Sequence, residues 1–253
     1  MIEGVARGAT IRGRVAAALA AHLLSTAAHA ASLSLPRGEV LRLALDAYDC
    51  ARRSDRVSGT LLTIIDYSLP STIPRLWVID VPTRRVLFHE LVAHGSGSGD
   101  NLAVAFSNEP GSRCSSLGLF RTGEVYRGEH GTSLRLDGLE PGFNDRAMER
   151  AIVMHGAPYV NARVAASLGR LGRSWGCPAL EPGVDRRVIE HIKGGTAIFA
   201  YYPDPQWIAE SRFLRCAEQL ADGPRAPDPS RGPQAKSSRR VRLRSRSAAP
   251  HRA

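Results

Sequence analysis

The sequence predicts a mainly β domain with α+β decoration at both ends, and three observations carry that reading. Between residues 60 and 156 the chain passes through short apolar runs separated by Gly, Pro, Ser and Asn clusters, the pattern of strands and turns. On either side of that stretch apolar residues recur at helical spacing. The two termini differ from both in composition, and about 190 residues lie between them, enough for one domain.

Residues 1–30 read as a secretory signal peptide. Arg7, Arg12 and Arg14 form a positive n-region, Val15 to Leu24 form an apolar run, and Ala28-His29-Ala30 presents small residues where a signal peptidase reads them. That run is about half of the roughly twenty residues a helix needs to cross a bilayer. The expectation is cleavage after Ala30 and export to the periplasm or cell wall, with no transmembrane segment afterwards; an uncleaved anchor is the alternative.

Residues 31–58 read as an N-terminal helical segment. In "PRGEVLRLALDAYDCARR" Pro36 suits a first turn, and Val40, Leu41, Ala44, Leu45 and Tyr48 share one face. A domain over 59–204 follows. Its strand-like runs are "TLLTIIDYS", "RLWVIDV", "RVLFHELVAHG", "SLGLFRT", "SLRLDGL" and "RAIVMHG", with "VPTR", "GSGSGDN", "SNEPGS" and "RTGEVYRGEHG" as the breaks. A helix at "DRRVIEHIK", a strand at "GTAIFAYYP" and one C-terminal helix over residues 205–220 complete it.

Residues 221–253 are rich in Pro, Ser, Ala and Arg and poor in large apolar residues, so they read as a disordered basic tail. The tail carries nine Lys/Arg against two Asp, and the first thirty residues three Arg against one Glu, which leaves +1 of the formal +10 for the body. The basic charge therefore belongs to the tail of an exported chain. Its expected partner is an anionic cell-envelope surface and not nucleic acid, with a merely solubilising tail as the alternative.

Four cysteines, at 50, 114, 177 and 216, enter an oxidising compartment, so pairing is considered first. Cys50 and Cys216 lie in the two flanking helices, which could meet across the sheet. There is no C-x-x-C and no H-E-x-x-H, so neither a metal nor another cofactor is expected. Cys177, in "GRSWGCPAL", has three open readings: a reactive thiol, half of a disulfide, or a small buried hydrophobe. A catalytic thiol needs a base and amides aimed at the developing oxyanion. Gly176 allows close backbone approach, and His155-Gly156, 22 residues upstream at the end of "RAIVMHG", offers a base on a strand end.

Together, His155-Gly156 and Ser174-x-Gly176-Cys177 resemble the signature of the L,D-transpeptidase catalytic domain, over roughly residues 73 to 203. "LWVIDVPTRRVLFHELVAHGSG" is similar to that family's opening hairpin, and "SSLGLFRTGEVYRGEHGTSLRLDGLE" is similar to the branch whose nucleophile motif reads S-W-G-C-P. The commoner motif has a histidine before Gly-Cys and an asparagine two residues after the cysteine, where this chain has Trp175 and Ala179.

The resemblance implies a β-sandwich or open barrel with flanking helices. It implies a murein L,D-transpeptidase that acts on peptidoglycan stem peptides and makes 3-3 cross-links through a thioester. The residues implied are Cys177 as nucleophile, His155 as base oriented by the Gly156 carbonyl, and the amides of Gly176 and Cys177 as oxyanion hole. Ser116, His130, Arg150, Arg173, Ser174 and Trp175 are candidate substrate contacts. The alternatives are an L,D-carboxypeptidase or endopeptidase that uses water, and a noncatalytic wall-binding module in which Cys177 pairs with Cys114.

Overall fold

The chain is described by a computed structural model over residues 34–221, with side chains to Cys216. The stretch expected to be a signal peptide and, apart from Ala221, the basic stretch expected to be a tail lie outside the described residues. Helix α1 (Gly38–Arg53) opens the fold. Glu39 in its first turn and Arg52 and Arg53 in its last suit the helix dipole. The buried stripe runs through Val40, Leu43, Ala44, Ala47, Tyr48 and Ala51, so Leu41 and Leu45 only flank it. Pro36 lies outside the first turn, one residue before the cap residue Arg37.

Eight strands follow: β1 (Leu61–Asp66), β2 (Leu76–Asp80), β3 (Arg85–Glu90), β4 (Gly118–Gly128), β5 (Gly131–Gly138), β6 (Val153–Gly156), β7 (Ala179–Leu180) and β8 (Ala197–Tyr201). They form one sheet in the order β3-β2-β1-β8-β4-β5-β6-β7. Only the β1·β8 and β6·β7 pairs are parallel. The sheet curls until its two edges meet: Ala93, just beyond β3, bridges Ala179 of β7, with Ala93 N–H donating to the Ala179 carbonyl at 2.9 Å. The result is the mainly β, nearly closed barrel expected, filled by apolar side chains such as Ile64, Leu119, Leu134, Met154 and Phe199. Full burial of each such side chain contributes about 1.5–3 kcal/mol.

Three further details differ from the sequence expectation. The segment "RTGEVYRGEHG" is not a break, because β4 runs through it to Gly128 and pairs with β5 on both sides of a bulge between Thr122 and Val125, around a tight turn at Glu129-His130. Arg121, Glu124 and Arg127 are all exposed and the register shifts between Thr122 and Val125, so no simple alternation of apolar and polar residues marks the strand. Helix α2 (Ala162–Leu168) was not anticipated, although Asn161 caps it by accepting from Val164 N–H at 2.9 Å and Gly169 ends it at a φ of 65°. The C-terminal helix is two helices, α4 (Pro205–Glu210) and α5 (Arg212–Ala221). Ser211 adopts an extended ψ between them, and its hydroxyl accepts from Leu214 N–H at 3.4 Å.

The flanking helices are tied to each other and to the sheet. Cys50 and Cys216 form a disulfide between α1 and α5, as their places in the two helices had suggested. Trp207 of α4 is fully buried and donates its indole N–H to Glu140 at 3.2 Å. Helix α3 (Val184–Ile192) packs its Val188, Ile189 and Ile192 face into the core, behind β6. No helix among the described residues is long and apolar enough to cross a membrane.

Candidate active site

Strand β6 carries His155 into the interior, where it is 2 % exposed. Its Nδ1 lies 2.9 Å from the Gly156 carbonyl. A carbonyl only accepts, so Nδ1 bears the proton and Nε2 presents its lone pair. Burial lowers the His155 pKa, the Gly156 contact raises it, the neighbouring His130 lowers it and Asp185 raises it. The net direction is downward, which keeps the imidazole neutral at pH 7, the form a base requires. A methyl group at Gly156 would sit 2.5 Å from Asp185 Oδ2 at the start of α3, so any larger residue there would have to displace that carboxylate.

The parallel pairing of His155 with Ala179 sets the place of the cysteine, two residues earlier in the loop before β7. Cys177 Sγ accepts from Val153 N–H at 3.4 Å and lies 3.8 Å from the Ala151 carbonyl. Among the described residues its hydrogen bonds go to this backbone and not to the imidazole. Burial pushes the thiol pKa up, and the Val153 amide, the Arg150 charge and the cysteine's own amide pull it back. At rest the thiol and the imidazole are therefore both neutral.

The loop around Cys177 is held from within and from below. Ser174 is buried, donates its hydroxyl to the Cys177 carbonyl at 2.7 Å and accepts from Gly176 N–H at 3.1 Å. Gly176 N–H, expected as an oxyanion donor, is thus already engaged by Ser174, whereas Cys177 N–H has no other residue as acceptor among the described ones. Gly176 has a φ of 121°, and a Cβ there would lie 2.7 Å from the Cys114 carbonyl, so only glycine fits. From below, Ser115 donates its hydroxyl to the Gly176 carbonyl at 3.1 Å and accepts from Gly95 N–H at 3.0 Å.

The residues that anchor this scaffold were missed in the sequence. Arg75 is fully buried and forms no ion pair among the described residues, with the Asp66 carboxylate acting on it only through space. It donates to the carbonyls of Val92 and Leu69 and to Nδ1 of His94 at 2.7 Å, and its guanidinium lies 5.3 Å from the Tyr67 ring. Desolvation brings the Arg75 pKa down to about 10 and the His94 pKa down to about 4. His94 is consequently neutral, and its carbonyl accepts from Ser174 N–H at 3.1 Å. The only signal in the sequence was a histidine-glycine pair, His94-Gly95, like the one at 155 and 156.

A family model described as the L,D-transpeptidase catalytic domain matches residues 35–201. The chain belongs to the L,D-transpeptidase catalytic-domain family. Solved structures of this description are distant: an L,D-transpeptidase from Mycobacterium smegmatis shares 14 % identity over 56 % of this chain and 59 % of its own, with a TM-score of 0.35. One from Stackebrandtia nassauensis shares 13 % over 65 % of this chain and 68 % of its own (TM-score 0.35). One from Xylanimonas cellulosilytica shares 15 % over 60 % and 68 % (TM-score 0.34). The chain thus spans less than two-thirds of the first of these in length. No curated protein matches it.

In this transpeptidase-family domain the other predicted residues fall into two groups. Ser116, Arg150 and Trp175 lie at the cysteine loop. Arg150 Nη1 donates to the Ser107 carbonyl at 2.7 Å and the Ser116 hydroxyl at 2.5 Å, and Nη2 donates to Ser112 Oγ at 3.3 Å and the Cys114 carbonyl at 2.6 Å. All four of its Nη hydrogens are taken, so Arg150 supplies charge to the site rather than donors. Ser116, which is buried, donates its hydroxyl to the Ser107 carbonyl at 2.9 Å. Trp175 is 73 % exposed at the rim.

His130, at the tip of the β4–β5 hairpin, stacks on His155 with ring centroids 4.3 Å apart. Arg173 is turned the other way, to the Gly99 carbonyl at 3.0 Å and to Asp100 at 2.9 Å. Cys114 and Cys177 are both free thiols, so the disulfide that the wall-binding alternative requires is not formed. Among the described residues no three His, Cys, Asp or Glu side chains gather where they could hold a metal ion.

Proposed function

We propose that this chain is an exported cysteine acyltransferase that acts on peptidoglycan stem peptides and makes 3-3 cross-links. The observation that carries the reading is the pairing of a neutral imidazole, its Nδ1 tied to Gly156 and its Nε2 free to accept, with a free thiol on the adjoining loop of a family-matched domain. Nε2 of His155 takes the Cys177 proton. The sulfur adds to the carbonyl at the L-centre of the third stem residue, taken as diaminopimelate, and the Cys177 amide meets the oxyanion. One such donor is typically worth about 3 kcal/mol. The C–N bond to D-alanine then breaks, the imidazolium returns its proton to the leaving nitrogen, and a thioester remains. An amine from a second stem resolves it, or water does so in a carboxypeptidase. Since Sγ is turned toward Ala151 at rest, the first step includes its release from that carbonyl; catalytic hydrogen bonds commonly tighten only when substrate is bound.

Mass spectrometry of purified muropeptides after incubation with the enzyme tests the proposal. Cross-linked dimers that lack one D-alanine are expected with the wild type and none with Cys177→Ala. Hydrolysed tripeptides alone would assign water as the acceptor. Equal products from both proteins would refute the assignment of Cys177.

A further inference from the structure

Beside the cysteine loop lies a pocket of about 280 Å³ lined by Gly111, Arg113, Arg150 and Trp175. Its volume is just below the usual range of small-ligand pockets, about 300–1,000 Å³, room for a single residue-sized group. Two arginines and no carboxylate line it. Their states differ. Every Nη hydrogen of Arg150 is engaged by the protein, as described above. Arg113, by contrast, makes no side-chain hydrogen bond and no ion pair among the described residues, while its guanidinium is held 4.8 Å from the Trp175 ring centroid. A guanidinium stacked on an indole keeps its in-plane N–H groups available and oriented, the arrangement suited to two-point recognition of a carboxylate. The pocket is also close to the reacting sulfur: Arg150 Nη2 would lie 3.2 Å from a Cβ on Gly176, and Trp175 and Gly176 immediately precede Cys177.

We propose that Arg113, braced by Trp175 and backed by the fixed charge of Arg150, is the specificity determinant for the free carboxylate of the leaving D-alanine. The inference rests on the stem-peptide reading above. That carboxylate stands one residue from the scissile carbonyl, so a donor held at Cys177 brings it to the adjoining pocket. The site selects donors that end in a free acid, and a longer or amidated terminus forfeits the contact.

Isothermal titration of the Cys177→Ala protein, which binds without turnover, provides the test. The probes are a tetrapeptide stem with a terminal D-alanine acid, the same peptide as its C-terminal carboxamide, and a third with only the diaminopimelate side-chain carboxylate amidated. The acid and the third peptide are expected to bind about tenfold more tightly than the carboxamide, the scale of one charge-assisted contact. Adding Arg113→Gln should erase that preference by weakening the two acids alone, and Arg113→Lys should restore part of it. Arg113 is exposed, so these variants keep the fold. Acid and carboxamide binding alike, or Arg113→Gln weakening all three peptides equally, would overturn the proposal while sparing the stem-peptide reading. Loss of the preference in the third peptide would move the pocket to the diaminopimelate carboxylate and overturn it too. Failure of all three peptides to bind at millimolar concentration would overturn both.

Discussion

Cys177 and His155 set the pH behaviour of the site. Burial moves the thiol pKa up and the imidazole pKa down, so the pair rests uncharged, and the acyl transfer proposed above requires proton transfer at the moment of attack. Iodoacetamide is expected to modify Cys177 ahead of Cys114, which is buried, and the rate should still be rising with pH where an ordinary thiol of pKa about 8.5 has levelled off. A plateau already reached at neutral pH would mean a preformed thiolate. His155→Gln should lower acyl transfer by about 10²–10⁴-fold, the range of general-base catalysis, yet leave alkylation at high pH nearly unchanged because hydroxide has replaced the base.

Elements position these residues, and two of them make separate predictions. The segment 92–98 beyond β3 carries the cysteine loop and hangs on His94 and Arg75. The folded chain holds His94 near a pKa of about 4, whereas an unfolded histidine protonates near 6.5. Its contribution is complete above pH ~6.5 and is lost as the pH falls toward ~4, by up to about 3 kcal/mol. Denaturant unfolding between those pH values should show a steeper loss for the wild type than for His94→Gln; parallel curves would contradict the buried neutral state. The α1–α5 disulfide spans 166 residues, and closing so long a loop is worth at most about 5 kcal/mol. Cys50→Ala/Cys216→Ala should lower the thermal midpoint by several degrees without changing which remaining cysteine iodoacetamide labels first. The strands and α1 were legible because burial writes a period into the sequence. The Gly156 carbonyl as the partner of His155 was legible too, since it is the next residue in the chain. The Arg75–His94–Ser115 support was not, because its members come from separate segments and none is unusual alone. The engagement of Gly176 N–H was likewise invisible, because it depends on how Ser174 turns.

For the whole molecule, charge distribution matters more than total charge. Beyond residue 220 the sequence carries nine Lys/Arg against two Asp, so we propose that this segment, with export directed by residues 1–30, holds the enzyme to an anionic envelope surface. Sedimentation with purified sacculi at low and high salt should show salt-sensitive binding by the protein with residues 31–253 and weaker binding by one ending at Ala221. Equal binding by both at low salt would leave those residues a solubilising role. We propose that Cys177 forms a thioester with the stem peptide, and the intact mass of the protein after brief mixing with a tetrapeptide donor and acid quench would reveal it. The expected result is a mass gain equal to the tripeptide acyl group, mapped to Cys177, lost on treatment with hydroxylamine and absent from Cys177→Ala. An unmodified wild-type protein that nonetheless releases D-alanine, or the same adduct on Cys177→Ala, would contradict it.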